Sequence, residues 1–491
     1  MLLIIMCSFL ILPINCYKSL KNIKKILKKL KKRGPDGTNI LEHNGYIFIH
    51  NILYFSGEIT YQPLQDKEND IILCFNGEIY NYNDFGNYKS DTEMLLEQYK
   101  EKDTKFIKDL DGEFTFIIFD FKKKIILQSS DIFGTKPQWY NITDNGIIIS
   151  SFRSSVCQCS NLEEEFTDRK IDQPLTPNNI LKHNCIKRVR PNKYIIRSLE
   201  TMKIIEENNV YNFDLKQHKD NYDDFCNAFD NAIKKRVLNN NTQKNNIGLC
   251  LSGGYDSGAI SCSLNKINAN YVSYSMKCQE NMKILNERMA LNKNKYFYDI
   301  SQETYQEFKE QYQKHLEGSS IPQYSKPGQL TSYYNIIGDW AGVGLFLIFV
   351  QSKSDKVKIF FSGQGADEIY SDYGWKGRSI KDINNPNINP NIPSSFFGDF
   401  PDNLEDIYPW PNFFGGLNES FITKEECTAS LFGIETRYPF LDKKLVQEFL
   451  WLTKDLKNKY YKAPLYYYLK SNNYPFEPNE KMGFKTKITS H

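Results

Sequence analysis

The distribution of apolar residues along the chain changes character about two-fifths of the way from its start. In the first part, segments such as CFNGEIYNY (74–82) and LDGEFTFIIFD (110–120) alternate apolar and polar positions between glycine-bearing turns. That pattern is typical of strands in two stacked antiparallel sheets. Further on, residues 247–251 and 359–361 are short apolar runs that end at serine and glycine, as buried parallel strands do. The pattern therefore predicts an antiparallel-sheet domain followed by an α/β domain.

The segment between these two patterns indicates a domain boundary. Residues 190–213 (RPNKYIIRSLETMKIIEENNVYNF) have the pattern of closing strands, whereas residues 221–237 (NYDDFCNAFDNAIKKRV) have that of an opening helix. In this helix Phe225, Phe229 and Ile233 lie on one face because they are four residues apart. We therefore predict a boundary between about 195 and 220, which separates two domains at residues 6–205 and 215–491.

The first forty residues combine an apolar segment with a basic one. Residues 1–16 (MLLIIMCSFLILPINC) are as apolar as the centre of a signal peptide, but no basic residue precedes them and they are too short to span a bilayer. Residues 17–37 contain nine Lys and Arg around one apolar stripe. This segment is predicted to be a surface helix packed on a core, with attachment to an anionic membrane as the alternative. The stripe consists of Leu20, Ile23, Leu27 and Leu30.

Composition and charge limit the kinds of molecule that this protein is expected to bind. The net charge is only +3 and the pI is about 8.1. The protein therefore has no strong overall positive charge that would indicate binding to nucleic acid or to acidic proteins. The eleven cysteines include no C-x-x-C pair, and Cys157 and Cys159 have only His183 nearby, which is too few ligands for a zinc site. We therefore predict a reduced, cytoplasmic protein that binds neither membrane nor nucleic acid.

A glycine-rich loop follows the apolar run at 247–251. In GLCLSGGYDSGAIS (248–261) the loop leads into a predicted helix, whose N-terminal N–H groups and dipole can hold an anion. The loop is not a Walker P-loop, because no lysine follows its second glycine. Asp256 could hold a magnesium ion on bound phosphates. A purely structural turn is the alternative.

A second loop of the same kind begins about a hundred residues later. In KIFFSGQGADEIYSDYG (358–374) an apolar run again leads into Ser362 and Gly363, followed by Asp367. Ligands of doubly wound sheets bind at the carboxyl ends of parallel strands, where both loops are expected to lie. Asp256 and Asp367 could then chelate one magnesium ion. Together the loops predict nucleotide binding.

Several motifs occur in an order that is specific as a set: MCSF, RGPDG, NGE, SD, SGGYDS, SGQGADE, GIETRYPFLD (433–442) and EKMGF (480–484). Over nearly its whole length the chain resembles the glutamine-hydrolysing asparagine synthetase family. The resemblance implies an N-terminal α+β, Ntn-hydrolase-like αββα sandwich, which is a class II glutamine amidotransferase domain. It also implies a C-terminal Rossmann-like ATP-pyrophosphatase domain.

The resemblance also implies roles in the first domain. Cys7 would be the nucleophile that attacks the side-chain amide of glutamine, with its own α-amine as the base. This requires that Cys7 become the first residue, through a start at Met6 or removal of residues 1–6. Asn76 and Gly77 would stabilise the oxyanion, and Glu78 and Asp91 would hold the glutamine α-ammonium group.

For the second domain the resemblance implies a ligase that uses ATP and Mg²⁺ to convert aspartate through β-aspartyl-AMP to asparagine. Ammonia from glutamine would be the nitrogen donor, and one possible assembly is a homodimer. Asp256 and Asp367 would hold the metal, and Lys481 would act in catalysis. The ATP site would be formed by Leu251, Ser252, Gly253, Gly254, Asp256, Ser257, Ser362 and Gly363. The substrate and intermediate would be held by Gln364, Asp367, Glu368, Glu435 and Arg437.

Three positions differ from the family pattern and leave alternatives open. Ile52 and Ser130 stand where relatives carry arginines, of which the first binds the glutamine carboxylate, and Gln364 stands where many carry a glutamate. The alternatives are an ammonia-dependent synthetase with an impaired glutaminase domain, and an amide-forming enzyme like β-lactam synthetase. A degenerate, non-catalytic scaffold or membrane-associated protein is a third.

Overall fold

The computed structural model describes residues 5–54, 60–162, 186–238, 246–277, 281–292, 294–316, 320–326, 329–335, 340–371 and 400–478. The Asn- and Pro-rich segment at 383–395 and the predicted catalytic residue Lys481 lie outside these ranges. Within them, strands β1–β12 form one twelve-stranded sheet that folds over itself. These strands are β1 (Ile5–Pro13), β2 (Gly37–His43), β3 (Tyr46–Tyr54), β4 (Leu64–Asp66), β5 (Ile71–Ile79), β6 (Gly112–Asp120), β7 (Ile125–Ser130), β8 (Trp139–Thr143), β9 (Gly146–Ser150), β10 (Lys187–Arg188), β11 (Lys193–Ser198) and β12 (Ile204–Asn209).

Strand β1 joins the two halves of this sheet. It pairs with β3 along its whole length, with β9 at Leu10 and Ile11, and with β5 at Ile5. Its side chains alternate between two cores: Phe9 and Ile11 lie between the sheet halves, whereas Leu10 and Leu12 face an outer helical layer. Within the apolar N-terminal segment, residues 5–13 therefore form a strand that is covered on both faces.

Helices cover both outer faces of the folded sheet. The helix α2 buries Ile26 and Leu30 against β1 and β3, so the apolar stripe of the basic segment lies on a core, as predicted for a surface helix. On the opposite side, α3 packs Met94 and Leu95 against β5 and β6. The layers are helix, sheet, sheet and helix, which confirms the predicted αββα sandwich. Its helices are α1 (Ile14–Ser19), α2 (Ile23–Arg33), α3 (Asp91–Lys102) and α4 (Arg153–Cys159).

The second domain is built on a five-stranded parallel sheet of order β15-β14-β13-β18-β19. Side chains such as Ile359 and Phe361 face one layer of helices, and Phe360 faces a helix on the other side. The first layer includes α5 (Asp223–Leu238), α6 (Tyr255–Lys266) and α13 (Lys443–Trp451), and the helix on the other side is α9 (Trp340–Ser354). This doubly wound arrangement confirms the predicted Rossmann-like α/β fold. The sheet strands are β13 (Asn246–Cys250), β14 (Tyr271–Met276), β15 (Lys295–Tyr298), β18 (Val357–Phe361) and β19 (Glu435–Arg437), and a separate hairpin consists of β16 (Ser320–Lys326) and β17 (Gln329–Asn335).

The described helices of this domain surround the sheet, and the opening helix buries Phe225, Phe229 and Ile233 as their spacing predicts. In the described ranges of both domains, no helix combines the length and apolar character that crossing a membrane requires. The helices are α5 (Asp223–Leu238), α6 (Tyr255–Lys266), α7 (Met282–Ala290), α8 (Gln302–His315), α9 (Trp340–Ser354), α10 (Ala366–Tyr370), α11 (Pro411–Phe414), α12 (Gly416–Ser430), α13 (Lys443–Trp451), α14 (Lys454–Asn458) and α15 (Ala463–Ser471).

The two sheets are separate on either side of the predicted boundary. The last strand of the sandwich ends at Asn209, beyond the predicted limit at residue 205, and the first helix of the α/β domain begins at Asp223. The exact domain limits, 6–205 and 215–491, stay a prediction.

Buried ion pairs connect residues of the first domain with residues of the second. Arg236 of α5 contacts Glu113 of β6 at 2.8 Å and Asp442 at 2.9 Å, and all three side chains are almost fully buried. A second cluster joins Arg33 and Lys136 of the sandwich to Glu426 of α12, at 2.6 and 2.8 Å. Burial alone would raise the pKa of Glu426, but these two cations lower it to about 2. The domains are thus joined by charges that have no access to water.

Removal of one such charge is expected to destabilise the whole protein. In Arg236→Met the buried carboxylates of Glu113 and Asp442 lose this cationic partner, so the free energy of unfolding should fall by about 3–5 kcal/mol. Urea unfolding followed by circular dichroism measures this. The matched control is Arg190→Met, because Arg190 is half exposed and contacts Glu207 at 3.4 Å, so its loss should cost less than about 1 kcal/mol. Equal stability of the two variants would contradict the prediction.

Candidate active sites

The predicted nucleophile lies in the interior of the sandwich. Cys7 is fully buried in β1, its backbone N–H donates to Asn76 Oδ1 at 2.9 Å, and its carbonyl accepts from Arg33 Nε at 3.0 Å. Burial raises the pKa of the Cys7 thiol well above its ordinary value, and a backbone hydrogen bond from Leu53 and the charge of Arg33 offset this only in part. The thiol therefore needs a base before it can attack an amide.

The predicted oxyanion donors lie beside Cys7 on β5. Asn76 is buried, and within the described residues its Nδ2 has no hydrogen-bond partner, so this donor is available to a ligand. Gly77 has φ +128°, and a Cβ at this position would lie 2.0 Å from the carbonyl oxygen of Glu113. The residue must be glycine because β6 passes so closely. The structure thus brings Cys7, Asn76 and Gly77 together.

Two buried carboxyl groups lie next to these residues. Glu78 is buried, and in the described ranges neither carboxylate oxygen has a hydrogen-bond partner. Asp91, at the start of α3, accepts from the N–H groups of Ile79 at 3.3 Å and Thr92 at 2.7 Å. Burial raises the pKa of Asp91 to about 7, and burial together with the charge of Asp91 raises that of Glu78 well above its usual range. A cationic ligand would favour their ionised forms, as the predicted contact with an α-ammonium group requires.

The structure also shows the surroundings of the atypical residue Ile52. It lies opposite Cys7 in the β1–β3 register, and the two side chains form a small apolar cluster. The neighbouring Arg33 guanidinium is engaged by the Cys7 carbonyl and by Glu426. Arg33 is therefore not placed to substitute for the arginine that relatives carry at the Ile52 position.

In the second domain, hydrogen bonds within the loop after β13 and from a nearby arginine stabilise this loop. The hydroxyls of Ser252 and Ser257 are 2.8 Å apart, and the Gly254 N–H donates to Ser252 Oγ at 3.1 Å. The buried Arg288 of α7 donates to the carbonyls of Ser252 and Gly254. A Cβ on Gly258 would lie 2.4 Å from the Arg288 guanidinium, so the glycine makes room for it. No motif indicates Arg288, which sequence reasoning missed.

The loop after β18 contacts the first loop directly. The two strands are parallel neighbours, and a Cβ on Gly363 would lie 3.2 Å from Cβ of Asp256. Leu251 is buried at the end of the first strand. The carboxylate of Glu368 accepts the N–H of Gly365 at 3.0 Å, which stabilises the turn into α10. The prediction that both loops meet at one edge of the sheet is thus confirmed, whereas a substrate contact of Glu368 stays a prediction.

A lysine lies between the two carboxylates predicted to bind the metal. Lys462 Nζ contacts Asp256 Oδ1 and Oδ2 at 2.6 and 2.8 Å and Asp367 Oδ1 at 2.9 Å. Burial lowers the pKa of Lys462, but the two carboxylates raise it well above its usual value, so the ammonium group stays charged. Tyr461 also donates to Asp367, at 3.2 Å. Sequence reasoning missed Lys462, since it stands 206 residues from Asp256 in no recognised motif.

The pair Glu435 and Arg437 lies where the two domains meet. Arg437 Nε donates to Glu435 Oε1 at 2.9 Å, and its Nη2 is 3.8 Å from Glu78 Oε2 of the sandwich. The Arg437 carbonyl accepts the Ser362 N–H at 2.9 Å. These residues therefore lie beside both the buried carboxyl group of Glu78 and the loop after β18. Their role towards substrate stays a prediction.

Two domain families match this chain. Residues 6–208 match the model of a glutamine amidotransferase domain, and residues 226–389 match that of asparagine synthase. The chain is 24% identical over 455 residues to the putative asparagine synthetase [glutamine-hydrolyzing] 1 of Methanocaldococcus jannaschii, which covers 86% of this chain and 76% of that protein. It is 25% identical over 458 residues to the asparagine synthetase [glutamine-hydrolyzing] of Mus musculus, covering 87% and 74%.

A third relative extends the range of organisms. The probable asparagine synthetase [glutamine-hydrolyzing] of Dictyostelium discoideum is 23% identical over 470 residues, covering 90% of this chain and 75% of that protein. Among solved structures, the glutamine phosphoribosylpyrophosphate amidotransferase of B. subtilis superposes over 72% of this chain and 80% of that chain, with a TM-score of 0.30 and 12% identity. With an amidotransferase domain ahead of an asparagine synthase domain, the chain is similar over most of its length to glutamine-hydrolysing asparagine synthetases.

Proposed function

We propose that this protein converts L-aspartate to L-asparagine with ATP, takes the nitrogen from L-glutamine, and releases AMP, pyrophosphate and glutamate. The observation that carries the proposal is a contact between the two domains. Arg33 donates to the Cys7 carbonyl in the first domain, and it also contacts Glu426 of the second domain at 2.6 Å. This residue therefore joins the candidate glutaminase site to the domain that contains the two loops. The comparisons favour neither an ammonia-only synthetase nor a β-lactam-synthetase-like enzyme.

The glutaminase step uses the cluster around Cys7. The Cys7 thiolate attacks the side-chain carbonyl of glutamine, and the unpartnered Nδ2 of Asn76 donates to the oxyanion that develops. Glu78 and Asp91 hold the α-ammonium group. Ammonia then leaves, and water hydrolyses the thioester to give glutamate. The α-amine of Cys7 serves as the base once this residue is the first of the chain.

The synthetase step uses the two loops. The β-carboxylate of aspartate attacks the α-phosphorus of ATP, and pyrophosphate leaves against the loop of Ser252, Gly254 and Ser257, with Lys481 as a further contact. Asp256 and Asp367 offer the carboxylate oxygens that Mg²⁺ prefers, so these two residues would hold the ion, with bound phosphates completing its coordination. When bound, the metal would offset charge on the leaving pyrophosphate. Ammonia then attacks β-aspartyl-AMP.

The proposal extends to the setting in which the enzyme works. We place the reaction in the cytoplasm, with ATP, aspartate and glutamine as its small-molecule partners, and a homodimer is one possible assembly. In the described residues the nine cysteines form no disulfide, which is compatible with a reducing compartment.

The test is asparagine formation by the purified chain with either nitrogen donor. With aspartate, ATP, Mg²⁺ and glutamine, we expect one AMP, one pyrophosphate and one glutamate for each asparagine. With ammonium in place of glutamine, AMP and pyrophosphate should again equal asparagine. Formation of ADP and phosphate would contradict the adenylation chemistry. Activity with ammonium alone would instead favour the synthetase with an impaired glutaminase domain.

A further inference from the structure

A glutamate that belongs to none of the motifs reaches the second nucleotide loop. Glu425 lies on α12, is buried, and accepts a hydrogen bond from Ser362 Oγ at 2.7 Å, although the two residues are 63 positions apart. An interaction with the side chain of Gln364 lowers the pKa of Glu425 slightly. The Gln364 N–H in turn donates to Ser362 Oγ at 3.1 Å. Glu425 is therefore connected through Ser362 to the loop that leads into α10.

The environment of Glu425 differs sharply from that of its neighbour Glu426. Burial raises the pKa of Glu425 to about 7, against the smaller opposing effects of Ser362, Lys424 and Gln364. The phenol of Tyr438 and the carboxylate of Glu426 are the other titratable groups that face it. Glu426 has a pKa of about 2 because Lys136 and Arg33 pair with it. Adjacent carboxyl groups whose pKa values are pushed apart often have different roles, and Glu425 is the one that can exchange a proton near neutral pH.

The proposed reaction requires a group that accepts a proton near neutral pH. When ammonia attacks the acyl carbon of β-aspartyl-AMP, the nitrogen must lose a proton to become an amide. The amide side chain of Gln364 cannot accept it. Among the described carboxylates of the two loops, Asp256 and Asp367 are paired with Lys462, and Glu368 accepts the Gly365 N–H. Glu425 instead accepts a hydrogen bond from a hydroxyl of the loop.

We propose that Glu425, acting through the hydroxyl of Ser362, accepts the proton that ammonia loses in the amide-forming step. The nitrogen lone pair forms the C–N bond, and the bond from the acyl carbon to the AMP oxygen breaks, so that AMP leaves with that electron pair. One N–H proton passes to Ser362 Oγ while the Ser362 hydroxyl proton passes to Glu425 Oε2. This role rests on the proposed function and makes Glu425 a positioning residue for Ser362.

The test separates the two halves of the synthetase reaction. In Glu425→Gln, with ammonium as donor, kcat for asparagine formation should fall by at least ~100-fold. Aspartate-dependent exchange of labelled pyrophosphate into ATP should stay within about twofold, because adenylation precedes the proton transfer and needs no such acceptor. The KM for aspartate should likewise change little. The matched control is Glu310→Gln, an exposed glutamate on α8, which should behave as wild type.

A second variant tests whether the rate of asparagine formation depends on a carboxylate next to Ser362. The double variant Gln364→Glu/Glu425→Gln exchanges the carboxylate and the amide between these two neighbouring positions and should recover most of the lost rate. Ser362→Ala should lose asparagine formation more strongly than pyrophosphate exchange. Near-normal asparagine formation in Glu425→Gln, or an equal loss of exchange and synthesis, would overturn the inference alone. Failure of the wild-type chain to form asparagine from ammonium would instead overturn the proposed function on which it rests.

Discussion

Replacement of Cys7 by alanine is expected to abolish glutamine-dependent asparagine formation, by at least ~1,000-fold, and to leave ammonium-dependent formation within about twofold. The first effect follows because the proposed nucleophile is the Cys7 thiol, and the Cys7 backbone N–H donates to Asn76 Oδ1 at 2.9 Å beside the proposed oxyanion donors. The second follows because the nucleotide loops belong to another sheet. Glutamate release from glutamine and asparagine formation from each donor are the measurements.

The Cys7 experiment has a control in the same chain. Cys226 of α5 is partly buried and lies outside both sites, so Cys226→Ala should keep both activities. A Cys7→Ala protein that still hydrolyses glutamine would remove the nucleophile assignment. A chain that begins at Met6 makes a second comparison: once the methionine is removed, the α-amine of Cys7 becomes the base, and this form should hydrolyse glutamine faster than a form in which Cys7 remains inside a peptide bond.

The fold could be predicted because local patterns and loop chemistry agree with it. Alternation along strands such as 110–120 indicated stacked sheets, and apolar runs that end in serine and glycine indicated parallel strands. The signal-peptide-like segment at 1–16 was ambiguous, since a run that is apolar throughout suits a membrane-targeting segment as well as a strand covered on both faces. Only pairing with β3 and β9 identifies residues 5–13 as β1.

The missed residues share a physical reason. Lys462, Arg288 and Glu425 contact the two loops from segments that are far away in sequence, and each stands where the local pattern indicates an ordinary amphipathic or capping role. Their contacts arise only when α7, α12 and α15 pack around the sheet. The loop glycines, by contrast, were visible because the turn itself requires them. The motifs therefore identified the backbone of the two loops, whereas the charged side chains that contact these loops come from segments that only the folded structure brings close.

The second large effect concerns Asp256. Asp256→Ala is expected to lower aspartate-dependent pyrophosphate exchange by at least ~100-fold if Asp256 holds the metal, because a lost metal contact at the phosphates costs several kcal/mol of transition-state stabilisation. Asp299→Asn is the matched control, since Asp299 contacts Lys277 at 2.7 Å with both side chains more than half exposed. Glutamine hydrolysis in the other domain reports whether the variant is folded.

The contact with Lys462 gives this loss a second possible cause, which the metal requirement can separate. If Asp256 binds Mg²⁺, the variant should need a higher Mg²⁺ concentration for half-maximal exchange, and added Mg²⁺ should restore part of the rate. If Asp256 mainly fixes the ammonium group at 2.6 Å, Lys462→Met should reproduce the loss with an unchanged Mg²⁺ requirement. Near-normal exchange in Asp256→Ala would contradict both roles, because the carboxylate would then serve neither the metal nor the lysine.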